Sequence, residues 1–150
     1  MARVNDVARY ILECNGGHVS TMKLQKLVYY SQAWNLVWDE KPLFNSPIEA
    51  WANGPVVREL YRQHRGNFTA DKEMFPGDST RLTVDEKETI DAVLDAYGRL
   101  SGQQLSDLSH SERPWREARE DVEDGASSTN EVSQDVMQDF YSAMQSASPA

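Results

Sequence analysis

The stretch Met22 to Trp38, MKLQKLVYYSQAWNLVW, constrains this chain more than any other. At about 100° per residue, Leu24, Leu27, Val28, Ser31, Trp34, Asn35 and Trp38 fall on one face of a helix. Met22, Tyr29, Ala33 and Leu36 fall on the opposite side. A helix that is apolar on two faces must be wrapped by other elements. Only Gln25, Gln32, Lys23 and Lys26 read as clearly wet positions. Each buried large side chain contributes roughly 1.5–3 kcal/mol, so this helix is the natural anchor of a core.

The rest of the sequence supplies the wrapping. Val4, Val7, Ala8, Ile11 and Leu12 have helical spacing, and Asn15-Gly16-Gly17 ends that helix. Ser20 or Thr21 then caps the central helix, which stops before Lys41-Pro42. The prolines and glycine of residues 42–54 predict irregular chain. Extended pieces at Leu43-Phe44 and Ile48-Trp51 leave room for a short β hairpin near 42–52. Pro55 suits the first turn of a helix that closes at Gly66. Its inner face is Val57, Leu60, Tyr61 and His64, and its outer face is Arg58, Arg62 and Arg65.

Residues 67–82 show no periodicity and read as a loop. Thr83 with Glu86, and Ser101 with Gln104, are capping boxes. The first opens a helix burying Ile90, Val93, Leu94 and Tyr97, and the second a short helix with Leu105 and Leu108. Pro114 starts another short helix carrying Trp115 and Ala118. Residues 121–130, DVEDGASSTN, read as a mobile acidic linker. A last amphipathic helix carries Val132, Val136, Met137, Phe140, Ala143 and Met144. The expected architecture is a mainly α, compact domain of about six or seven helices around the buried 22–38 helix. It forms one domain over 1–145, followed by a frayed tail at 146–150.

Charge limits the partners. The formal net charge is −9, which weighs against nucleic acid as the main ligand. It is unevenly spread: residues 1–70 are net +2, residues 71–100 net −4 and residues 101–150 net −7. Such polarity favours oriented encounter with a charged protein. No apolar run reaches the roughly 18 residues of a membrane span. The amphipathic, acid-containing start does not read as a secretory signal. Cys14 is alone, so no internal disulfide forms, and a reducing, cytoplasmic setting fits.

Catalytic convergence is not visible. His18, His64 and His110 do not pair with Cys14 or each other at metal-ligand spacing. There is no glycine-rich phosphate loop and no serine elbow. His64 reads as a packing residue, His110 as a backbone partner at a helix start, and Cys14 as a small buried apolar group. The arginine row is a solvated face or a binding surface, since arginine bonds carboxylates and phosphates bidentately. Lys23 and Lys26 would extend that positive area if the two helices are neighbours. Trp51 serves equally as core or as interface. The expectation is a non-enzymatic binding protein with no cofactor and no metal.

Taken in order, KLQKLVYY (Lys23 to Tyr30), PLF (Pro42 to Phe44), IEAWANGPVVRELY (Ile48 to Tyr61) and LSHSERPW (Leu108 to Trp115) resemble the Panacea domain family over roughly residues 4–145. The residues that carry this are Leu24, Gln25, Leu27, Tyr29, Tyr30, Gly54, Pro55, Tyr61, His110, Pro114 and Trp115. The resemblance implies an antitoxin of a toxin–antitoxin module that neutralises a cognate toxin by direct protein–protein binding. Some relatives instead act as adaptors that hand the toxin to a cytoplasmic protease, and related proteins occur in phages and prophages. A nucleic-acid-binding regulator is the weaker alternative. Arg58 stands where relatives often carry proline, and Asn53 where an aromatic residue or histidine often precedes GPV. The family pairs with unrelated toxins, which makes Arg58 a candidate for specificity. Arg58, Arg62, Arg65, Trp51, Lys23 and Lys26 are therefore the candidate partner-binding residues.

Overall fold

A computed structural model describes residues 1–147. It is mainly helical, with seven α-helices and two short antiparallel strand pairs among the described residues. Helix α1 is Val4–Cys14, β1 His18–Ser20, α2 Thr21–Trp38, β2 Ile48–Trp51, β3 Gly54–Val57, α3 Arg58–His64 and β4 Thr69–Asp71. Helices α4 Val84–Tyr97, α5 Gly102–His110, α6 Arg113–Ala118 and α7 Gln134–Ala147 follow. Ser146 and Ala147 thus belong to α7, and the rest of the predicted tail, 148–150, lies outside the described residues.

Helix α2 is the axis. Its cap is Ser20, whose Oγ accepts from the Lys23 N–H at 3.1 Å. It ends at Trp38, and Glu40 then turns the chain at φ 55°. Every residue from Leu24 to Leu36 is buried, because α1, α4, α5, α7 and β3 pack around the helix. Four expectations fail on this helix. Gln25, Lys26 and Gln32, expected in water, are 3%, 2% and 1% exposed. Trp38, expected inside, is exposed. The buried polar groups survive because each finds backbone to bond, which removes most of the desolvation cost.

The hairpin is β2 with β3, paired from Ile48 with Val57 to Trp51 with Gly54. It lies later in the chain than the expected 42–52, and Leu43-Phe44 is not its first strand. Those two residues are buried irregular chain, held by Gln32. Its Oε1 accepts from Leu43 N at 2.8 Å and Phe44 N at 3.3 Å, and its Nε2 donates to Phe44 O at 2.9 Å. Pro55 likewise sits in β3 rather than in a helical turn. Helix α3 starts only at Arg58, once the β3 residues Val56 and Val57 have been buried.

The 67–82 segment is anchored as well as looped. Strand β4 pairs antiparallel with β1, and Ala70, Phe75 and Leu82 are buried. The 121–130 segment is not free either. Ala50 N donates to Asn130 O and Val132 N to Ile48 O, both at 2.7 Å, so this chain lies along the open edge of β2. Both capping boxes form as expected, at Thr83 with Glu86 and Ser101 with Gln104. In α7 the buried residues are Met137 and Tyr141, while Ala143 and Met144 are exposed. Cys14 is also exposed, where a buried group was expected.

Candidate partner-binding site

The hairpin and α3 form one corner of the molecule, and its backbone is held by side chains from α2, α5 and α6. The carboxamide of Gln25 accepts from Val57 N at 2.9 Å and donates to Val57 O at 3.2 Å. Lys26 Nζ donates to Pro55 O at 3.2 Å. Ser106 Oγ donates to Asn53 O at 2.6 Å, Trp115 Nε1 to Trp51 O at 2.8 Å and Arg119 Nη1 to Ala50 O at 2.9 Å. A two-stranded hairpin is marginal alone in water, and here these side-chain bonds replace the neighbouring strands it lacks.

This arrangement places the family-like motif residues. Leu24, Leu27, Tyr29 and Tyr30 are core. Gln25 ties α2 to β3 and also reaches His64 Nε2 at 2.9 Å. Gly54 has φ +122°, and a Cβ there would lie 2.5 Å from Lys26 Cε, so glycine lets the strand cross the lysine stem. Tyr61 packs edge-on to Trp51, with centroids 4.8 Å apart. Pro114 opens α6. His110 stacks on Trp115 at 4.2 Å, and Arg119 lies over the same indole at 5.1 Å. The SHxxxPW residues therefore act as supports of the hairpin tip.

The candidate binding residues separate into two sets. Arg58 donates to Glu49 through Nε at 3.1 Å and Nη2 at 2.8 Å, and its guanidinium lies 5.6 Å from the Trp51 ring centroid. Trp51 is half-buried, and its Nε1 donates to Glu49 Oε1 at 2.8 Å. The Arg58 hydrogen bonds hold the Glu49 carboxyl below its ordinary range. Arg62 is exposed one turn further along α3, and its charge is also felt at Glu49. Arg65 is exposed too, but it leaves the helix with extended geometry. Lys26 and Lys23 do not extend this area. Lys26 is under the hairpin, and Lys23 Nζ donates to Gly98 O at the end of α4 at 2.6 Å.

The sequence reading missed a groove beside Trp51. It has a volume of about 380 Å³ and is lined by Trp51, Val56, Arg58 and Ser127 to Thr129 among others. Its far wall is the segment read as a loose linker. No local sequence signal marks it, because the wall and the floor lie some 70 residues apart and meet only through the 130–132 pairing with β2.

The buried titratable groups support structure. Burial lowers the Lys26 pKa to about 8. Burial also lowers the pKa of His64 and of His110, whose Nε2 has no hydrogen-bond partner among the described residues. Partial desolvation pushes the Cys14 thiol up, with the Asp91 and Glu13 carboxylates adding to the effect, opposite to what a nucleophile needs. Among the described residues no three His, Cys, Asp or Glu side chains converge on a point able to hold a metal. No described helix is long and apolar enough to cross a membrane.

No solved structure matches the chain. "Antitoxin SocA" of Caulobacter vibrioides (strain NA1000 / CB15N) is 35% identical over 109 residues, or 65% of this chain. The chain matches 58% of that relative's length. The family described as "Antitoxin SocA-like, Panacea domain" matches residues 24–116, from the central helix through the hairpin to Trp115 and Arg116. That span is more than half of the sequence and holds α2, the hairpin, α3 and α5, and the chain belongs to the SocA-like Panacea domain family.

Proposed function

We propose that this chain is an antitoxin that neutralises a toxin protein by forming a stable complex with it, using the hairpin–α3 corner as its docking surface. The observation that carries this reading is the corner itself. Trp51 stands on a hairpin whose backbone is bonded by Gln25, Lys26, Ser106, Trp115 and Arg119, and Arg58 and Arg62 stand on α3, which continues directly from its second strand. Interfaces draw most of their binding energy from a few aromatic and arginine anchors. A surface that is rigid before association avoids the ordering cost of forming one. Nanomolar neutralisation requires about 12 kcal/mol and an interface on the order of 1,600 Å², so α3 and the neighbouring loops would be covered too. A simple block of the toxin fits a domain whose buried polar groups serve its own backbone.

The relative's printed name, "Antitoxin SocA", supports the same reading. The test is genetic. The neighbouring reading frame, expressed alone, is expected to stop growth, and co-expression of this chain is expected to restore it. A neighbour that is harmless alone would remove the reading. A toxin half-life that shortens when this chain is present would replace simple blocking with delivery to a protease.

A further inference from the structure

The groove beside Trp51 has a chemistry of its own. Its floor is apolar, made by the Trp51 ring and Val56. One wall carries Arg58, and the other is formed by Ser127, Ser128 and Thr129. Arg58 uses Nε and Nη2 on Glu49, while Nη1 has no partner among the described residues. Arg62 and Arg65 form no ion pair among the described residues, and both are exposed nearby on α3 and just after it. Arg58 shares its charge with Glu49, and Arg62, one turn further along α3, is close enough to act on the same carboxylate.

Charge complementarity selects the occupant. A short acidic segment is drawn to Arg58 in the wall and to Arg62 beside it. A long polyanion is repelled by the rest of the surface, with residues 71–150 carrying the excess acid. The apolar floor rewards one large side chain beside the acids, because burying it removes apolar area from water. The volume of about 380 Å³ is near the low end of the roughly 300–1,000 Å³ range of ligand clefts. It fits a side chain or two and not a folded surface. We infer that this groove takes an acidic segment of a partner protein that carries an aromatic or large aliphatic anchor, with the anchor on Trp51 and Val56 and the carboxylates on Arg58 and Arg62. This rests on the antitoxin reading for the identity of the partner, but the groove's preference is testable without it.

The test uses the full chain, isotope-labelled for NMR, and three probes: the blocked peptide Glu-Glu-Trp-Glu, its counterpart Lys-Lys-Trp-Lys, and a ten-nucleotide oligothymidylate. The acidic peptide is expected to shift the Trp51 indole and the Val56, Ser127 and Ser128 amides. Arg62→Glu and Ser127→Trp, both at exposed positions, are each expected to weaken it about fivefold or more with the melting temperature unchanged. The inference is overturned if those resonances do not move, if the basic peptide or the oligonucleotide moves them as strongly, or if both variants, still folded, bind as the parent does. Growth rescue separates the two readings. Rescue by the parent and equally by Ser127→Trp keeps the antitoxin and discards the groove. Groove binding without any rescue keeps the groove and discards the antitoxin.

Discussion

The carboxamide of Gln25 pairs with both backbone groups of Val57, accepting from its N–H at 2.9 Å and donating to its carbonyl at 3.2 Å. One side chain of the central helix thus does for β3 what a neighbouring strand would do. Gln32 repeats the device two turns further along the same face, at Leu43 and Phe44. The family-like KLQKL run is therefore a structural signature as much as a packing one: its glutamine fixes where the hairpin leaves the core.

Gln25→Leu keeps the volume and removes the pairing. It leaves the buried Val57 N–H unsatisfied and takes the Gln25 partner from the buried His64 Nε2, each costing roughly 1–3 kcal/mol, while the Val57 carbonyl keeps its place as N-cap of α3. The variant is expected to lose about 2–4 kcal/mol in urea unfolding, with hydrogen exchange fastest at the Val57 amide. A loss below about 1 kcal/mol would mean that water or a shifted strand satisfies Val57 instead.

Lys26 is 2% exposed and has a single hydrogen bond among the described residues, to Pro55 O. Burial lowers its pKa from 10.5 to about 8. In the unfolded chain the amine keeps its proton up to the higher value, so between these two pKa values the unfolded state binds more protons than the folded one. Stability from this group therefore rises with pH through that window and is lost as pH falls through the folded value. Lys26→Met is expected to raise stability near neutral pH by on the order of 1–3 kcal/mol. The difference from the parent should shrink as pH approaches 10.5. A destabilised variant at neutral pH would show that the bond to Pro55 outweighs the burial of charge.

Glu112 is 5% exposed and accepts through one oxygen from Tyr30 at 2.7 Å and Tyr141 at 2.8 Å. Tyr141 in turn lies 3.0 Å from the Tyr29 hydroxyl. Burial pushes the Glu112 carboxyl above its ordinary range, against the two tyrosine hydrogen bonds. The unfolded chain loses this proton first as pH rises, so the group's contribution is present in acid and declines as pH passes through the folded value. Glu112→Gln keeps an acceptor and removes that decline. Its melting temperature relative to the parent should improve from acid to neutral pH. Glu112→Ala strands both hydroxyls and should cost about 2–4 kcal/mol in acid, and less at neutral pH because it also removes that decline. Parallel pH profiles for parent and Gln variant would show that the carboxyl does not titrate in the folded state.

Leu27 and Arg62 mark core and surface. Leu27 is fully buried, and Leu27→Asp puts an unpaired charge at the centre of α2's packing. It is expected to abolish the folded state as judged by circular dichroism. Arg62 is exposed and makes no ion pair among the described residues. Arg62→Glu should move the unfolding midpoint by no more than about 0.5 kcal/mol and abolish or weaken rescue of growth. A variant that melts would place Arg62 in the fold rather than in the interface.

The sequence by itself determined the helical class, the central helix, the glycine stop after α1, the two capping boxes and the place of α6. These are local: periodicity, caps and breakers act within a turn or two. It also carried the family signature in motifs that hold their identity whatever the fold does with them. Tertiary structure decided the rest. Whether Gln25, Lys26 and Gln32 face water depends on which element covers them, and β3 and the 42–44 chain do so from far along the sequence. The strand partner of Ile48–Trp51 was settled by the burial of Val56 and Val57, which outweighed the helix-start preference of Pro55. The groove exists only because the 130–132 chain returns to the β2 edge. Hydrogen bonds between distant segments have no period in the sequence, so polar residues in the core and walls made by loops become visible only when the chain has closed on itself.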